Sequence, residues 1–170
     1  MKNLLLIISF SLGLTATFAQ TTITLPGDGS KAITIKGELL GEMIRSTGGV
    51  DKKSEKYYYN LSGEILTIWK HIYLLEENKT EALYITKLPL AEIDWAYFES
   101  SFPEGPSTKK VAGREYYVLS INTQRGKRFK QEKYYQSSEA ASVTAGNVDI
   151  NITDADALKA FYDKLLGAKK

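Results

Sequence analysis

"DINITDADALKAFYDKLLGAKK", residues 149–170, joins two periodicities without a break. Val148, Ile150 and Ile152 alternate with Asn147, Asp149 and Asn151, the period of a strand with one apolar face. Beyond Thr153 the period lengthens. Leu158, Phe161, Tyr162, Leu165 and Leu166 fall at i, i+3, i+4, i+7 and i+8, while Lys159, Asp163 and Lys164 occupy the opposite side. Thr153 and Asp156 make a capping-box-like pair, and Asp154 adds negative charge where a helix N-terminus favours it. The spacing predicts a helix over about 154–166, with Gly167 at its C-terminal boundary and Lys169 and Lys170 suited to the negative end. Burying the five apolar side chains contributes on the order of 1.5–3 kcal/mol each before entropy. A stripe of that size needs a sheet or an open barrel mouth to cover.

Working outward, the centre of the chain reads as strands. "KYYYN" and "EILTIWKHIYLL" flank "LSG", a hairpin turn signal. In the second run Leu66, Ile68, Ile72 and Leu74 share one face with Lys70 as an exception, and Ile65, Thr67, Trp69, His71 and Tyr73 share the other. "EENKT" is the next turn and "EALYITKL" the next strand, which Pro89 must end or place at an edge. Ile93, Trp95 and Tyr97 alternate again, and residues 100–113 read as a long polar loop. "EYYVLSIN" and "KRFKQEKYY" follow as strands around Gly126, with "SSEAASVTAG" as a loop. Near the start, "TTITLPGDGSKAITI" gives extended pieces around a Pro-Gly-Asp-Gly turn. "GELLGEMIRSTGG", residues 37–49, places Leu39, Leu40, Met43 and Ile44 on one helical face, stopped by Gly48 and Gly49. The expected class is α+β: a mostly antiparallel curved sheet of six to seven strands, an N-terminal helix and a C-terminal capping helix.

The chain has 170 residues, a formal charge of +2, eleven tyrosines and no cysteine. The absence of cysteine excludes a disulfide framework, a thiolate metal site and a cysteine nucleophile. The weak charge gives no global attraction to nucleic acid or an anionic surface. Lys2, the apolar run "LLLIISFSLGL" and the small residues Thr17 and Ala19 have the layout of a signal peptide over 1–19, cut between Ala19 and Gln20. Secretion or periplasmic export is therefore expected, leaving residues 20–170 as one globular domain with no integral membrane segment. Sequons occur at Asn60, Asn78 and Asn151.

With "YYYNLSGEILTI", "LPLAEIDW" and "VDINITDADALKAFYDKLL", the chain over residues 37–167 resembles small exported bacterial proteins with a PH-like fold. The resemblance implies an antiparallel roll plugged at one end by the C-terminal helix. It carries over no functional residue, and "NLSG" at the first central hairpin lacks the basic residues of a phosphoinositide-binding loop.

The chemistry-bearing residues are sparse. His71 is the only histidine and no G-x-S-x-G occurs, so a hydrolase would depend on His71 alone. Glu76 with Glu77, and Glu92 with Asp94, read as solvated carboxylates. Asp149, Asn151, Asp154 and Asp156 are oxygen donors without the glycine and terminal glutamate of a calcium loop, so no metal and no cofactor is expected. "QRGKRFKQEKYY" interleaves Arg125, Lys127, Arg128, Lys130 and Lys133 with Phe129, Tyr134 and Tyr135. The tyrosine runs must turn some rings outward. Tyr57, Tyr59, Trp69, Tyr116, Arg125, Arg128 and Tyr134 are the candidate partner surface. The expected function is a non-catalytic exported domain that binds a protein, peptide or glycan, with no nucleic-acid partner. A lipocalin-like carrier of an apolar ligand and a His71-dependent hydrolase are the alternatives.

Overall fold

A computed structural model describes residues 20–27, 31–102, 105–111 and 113–169. The expected signal peptide lies outside these residues. The strands are β1 (Gln20–Thr24), β2 (Ala32–Lys36), β3 (Glu38–Thr47), β4 (Val50–Ser62), β5 (Ile65–Leu74), β6 (Lys79–Pro89), β7 (Ser107–Val111), β8 (Arg114–Asn122), β9 (Phe129–Tyr135), β10 (Ala141–Ala145) and β11 (Asn147–Ile152). Two α-helices are described, α1 (Trp95–Ser100) and α2 (Ala155–Gly167). They form a six-stranded sheet in the order β10-β9-β6-β5-β4-β3, a three-stranded sheet β11-β8-β7 and the β1–β2 hairpin. Every described pairing is antiparallel.

The long sheet is buried on both faces. On one, Tyr59, Leu66, Ile68 and Leu88 meet Leu119, Ile121 and Ile150 of the small sheet, Phe98 of α1, and Leu158, Phe161 and Leu165 of α2. On the other, the hairpin sets Ile23, Leu25 and Ile35 on Tyr58, Trp69, Leu83 and Ile85. Consecutive residues Ile68 and Trp69 are therefore both buried. Lys70, the exception in the β5 pattern, lies on the first face and pairs with the buried Glu55 at 2.6 Å.

The closing stretch folds as its periods require. Val148, Ile150 and Ile152 are buried, as are Leu158, Phe161, Tyr162 and Leu165 of α2. The cap lies one residue later than the spacing predicts. Asp154 is the N-cap and accepts from the Ala157 amide at 2.9 Å. The Thr153 amide is committed to the Glu42 carbonyl at 3.1 Å, because β11 runs against β3 there. Gly167 is the last helical residue, followed by Ala168 in a right-handed conformation.

The expected N-terminal helix is β3. A bulge between Leu39 and Gly41 inserts one residue against β4. It puts the buried Leu40 and Met43 three positions apart, which imitates helical spacing, while Leu39 is 59% exposed. Gly48 and Gly49, at φ 60° and 79°, form the two-residue turn into β4. The alternation at Ile93, Trp95 and Tyr97 yields to α1, whose N-cap Asp94 accepts from the Tyr97 amide at 3.0 Å. Phe98 and Phe102 then bury at helical spacing. Two expected loops contain strands. Residues 100–113 hold β7, an edge with Lys109 and Lys110, and "SSEAASVTAG" holds β10, which β9 recruits by backbone pairing despite its small side chains. The described residues hold eleven strands against the expected six to seven.

Candidate functional site

The hairpin crosses the second face of the long sheet part-way along its strands. The beginnings of β4 and β6 and the end of β5 extend past it, leaving a groove of about 1140 Å³. Ser54, Lys56, His71 and Thr80 line its floor, Thr22 and Thr24 of β1 one side, and the β5–β6 turn with Leu75 the other. The β1 side carries a free strand edge. The Leu25 amide donates to Lys31 O at 2.8 Å, so Ile23 and Leu25 direct their peptide groups at β2. Thr22 and Thr24, in the alternate positions, direct theirs away from β2, along the groove.

Across the floor, Glu42, Lys56 and His71 stand side by side on β3, β4 and β5. The Ser54 hydroxyl donates to Glu42 Oε1 at 2.6 Å. His71 Nε2 lies 3.1 Å from Thr80 Oγ1, and its ring meets Tyr73 edge-on at 5.8 Å. Burial, reinforced by the Lys56 ammonium, lowers the His71 pKa from 6.5 to about 4. The imidazole is therefore neutral at pH 7. Above about pH 6.5 it is neutral in folded and unfolded chains alike and does not affect their balance. As pH falls from about 6.5 to about 4, the unfolded chain binds a proton that the folded one does not, and stability drops by roughly 3 kcal/mol; below about 4 the penalty is constant. Denaturant unfolding of wild type and His71→Gln at about pH 7 and about pH 4.5 checks this. The wild type is expected to lose more stability than the variant. Equal losses would show that His71 is not the group responsible.

A second polar cluster lies on the opposite face. The Glu55 carboxylate, 2% exposed, receives Lys70 Nζ at 2.6 Å, Arg45 Nε, and the Tyr57 hydroxyl at 3.3 Å. Asn151 Nδ2 lies 3.5 Å from that hydroxyl. Burial raises the Tyr57 pKa. Burial opposes the charge of Lys70, but the Tyr57 oxygen and the Glu55 carboxylate outweigh it and raise its pKa. This cluster ties β3, β4, β5 and β11 together from within.

The structure disperses the residues singled out from the sequence. Tyr57, Tyr59, Trp69 and Tyr116 are buried and present little surface to a partner. Tyr134 packs against the hairpin core. Arg125 and Arg128 are exposed in the β8–β9 connection, away from the groove. Asp149 accepts from Ser120 Oγ at 2.6 Å, and Asp154 is spent on its cap. Among the described residues no three His, Asp or Glu side chains converge as a metal site, and no helix is long and apolar enough to cross a membrane. Sequence reasoning missed the groove. Period-2 alternation does put Ser54, Lys56 and Tyr58 on one face, but only the crossing hairpin makes a wall beside them. No protein-family model, curated protein or solved structure matches the chain.

Proposed function

We propose that this protein is an exported, non-catalytic binding module that captures an extended peptide segment in the groove beside β1. The free edge of β1 carries the reading. An incoming strand would pair with the outward peptide groups of Thr22 and Thr24 while its side chains meet the floor of the long sheet. The groove's volume of about 1140 Å³ leaves room for a short extended segment. The sequence layout over residues 1–19 supports export, and the strand, acidic cap and helix at residues 147–167 support the PH-like likeness.

The carrier reading requires an internal cavity, and the space between the long and small sheets is filled by Leu66, Ile68, Leu119, Ile121, Ile150 and Leu158. The hydrolase reading requires a base near neutral pH, and His71 is held too acidic for efficient proton abstraction.

Selection of phage-displayed random heptapeptides against residues 20–170 tests the proposal. Enriched sequences are expected to bind, and Thr24→Pro is expected to weaken them by roughly tenfold. Proline there removes an outward N–H and leaves the Leu25–Lys31 bond, and a melting curve reports retained folding. Failure to enrich any peptide, or equal binding by a folded Thr24→Pro, would overturn the proposal.

A further inference from the structure

The groove contains three lysines in different circumstances. Lys53 is held by both carboxylate oxygens of Glu81, at 2.7 and 2.8 Å, and Lys79 by Glu77 at 2.6 Å. Lys56 is half-buried on the floor and has no ion pair or hydrogen bond among the described residues. Its neighbour across β3 is Glu42, whose carboxylate takes the Ser54 hydroxyl. Its neighbour across β5 is His71, which faces Thr80. A half-buried ammonium without a counter-ion is unfavourable unless water or a ligand completes its shell. Lys56 is thus a cation facing the space where a strand added to β1 would place its side chains.

We infer that Lys56 gives the groove its chemical preference: the bound segment carries a carboxylate, which pairs with the Lys56 ammonium. This rests on the peptide-binding reading above. A carboxylate against a partly desolvated ammonium makes a charge-assisted hydrogen bond, stronger than the same amide could make. On the floor around Lys56 the side chains of Ser54, His71 and Thr80 are uncharged at pH 7, while Glu42, its neighbour on β3, is a carboxylate. Glu81 is neutralised by Lys53; Glu42 accepts from Ser54, which is no counter-ion, and makes no ion pair with Lys56 among the described residues. Both a side-chain carboxylate and a peptide's C-terminal carboxylate have the required chemistry.

The probes are rhodamine-labelled, N-acetylated, C-amidated heptapeptides of alternating threonine and valine. A single Asp, Asn or Lys occupies the second, fourth or sixth place. A further set carries Asn with a free C-terminal acid. Fluorescence anisotropy is measured with wild type, Lys56→Met, Lys56→Gln and Thr24→Pro. In wild type the best Asp peptide is expected to bind roughly tenfold more tightly than its Asn counterpart. That ratio is expected to collapse toward unity in both Lys56 variants, and the wild-type preference to weaken with added salt. Free-acid Asn peptides that match the Asp peptides would assign the subsite to a chain terminus; amidated Asp peptides that bind better would assign it to a side chain. Peptides that bind wild type, lose affinity with Thr24→Pro and show no preference for Asp would overturn the role of Lys56 and leave the peptide reading standing. So would a preference for Asp that persists in Lys56→Met and Lys56→Gln. Absence of binding by every peptide would overturn both.

Discussion

Glu55→Ala is expected to destabilise the protein by about 3–4 kcal/mol, the range for removing one partner of a buried ion pair. The carboxylate is almost fully buried and is the counter-ion of Lys70 and Arg45. Its removal leaves Lys70, itself mostly buried and above the Tyr57 ring at 5.5 Å, with a charge that the interior does not solvate. Arg45 is half exposed and can turn to water, so Lys70 dominates the loss. Denaturant unfolding of Glu55→Ala, Lys70→Met and the double variant separates the terms. The double variant is expected to be more stable than Glu55→Ala, because it removes the stranded ammonium. Additive losses would mean that Glu55 acts through packing alone.

Gly37→Val is expected to cost about 3 kcal/mol or more, at the upper end for overpacking, and to loosen the hairpin. Gly37 joins β2 to β3 where the chain turns from the hairpin into the long sheet. A Cβ there would lie 2.6 Å from the Tyr59 carbonyl oxygen and 2.9 Å from the Trp69 ring. The oxygen belongs to the β4 backbone and cannot rotate away as a side-chain tip would. Relief requires the corner to lift, which pulls Ile35 off Trp69 and opens the second core. Unfolding midpoints give the stability change, and near-ultraviolet dichroism reports the Trp69 environment. A variant with native midpoint and spectrum would show that the corner has room. Gly41 is a related case: a Cβ there would meet Ile152 at 2.8–3.0 Å, so glycine permits β11 to approach β3.

The legible parts of the fold were those in which local pattern and tertiary role coincide. The strand 147–152 buries Val148, Ile150 and Ile152, and α2 buries the face that the 3.6-residue period marks, because each element meets one apolar neighbour on one side. Pro89 ends β6 because it has no amide to donate. The misread elements were those in which a long-range partner overrode the local signal. In β3 the bulge converts strand alternation into a three-residue interval, and only pairing with β4 distinguishes the two. In β10 the small residues are held by the edge of β9. Tyr57 and Tyr59 were drawn inward because both faces of the long sheet are covered, so either direction of alternation leads to a core, and Tyr116 of β8 because its ring is buried with its hydroxyl donating to the Ile44 carbonyl.

The same division applies to the candidate site. By itself the sequence determined a β-rich domain without thiol chemistry, closed by a capped amphipathic helix, with one histidine and no catalytic signature. Alternation within "KYYYN" also puts Lys56 and Tyr58 on one strand face, though Ser54 lies outside the strand read there. That Lys56 lies in a groove without an ion pair among the described residues, beside a neutral His71 and under a free strand edge, was decided by tertiary structure. The hairpin is shorter than the sheet it crosses, so apolar burial under Ile23, Leu25 and Ile35 covers part of the face and leaves the remainder open. Burial is a property of what packs above a residue, and that is set by chain segments distant in sequence.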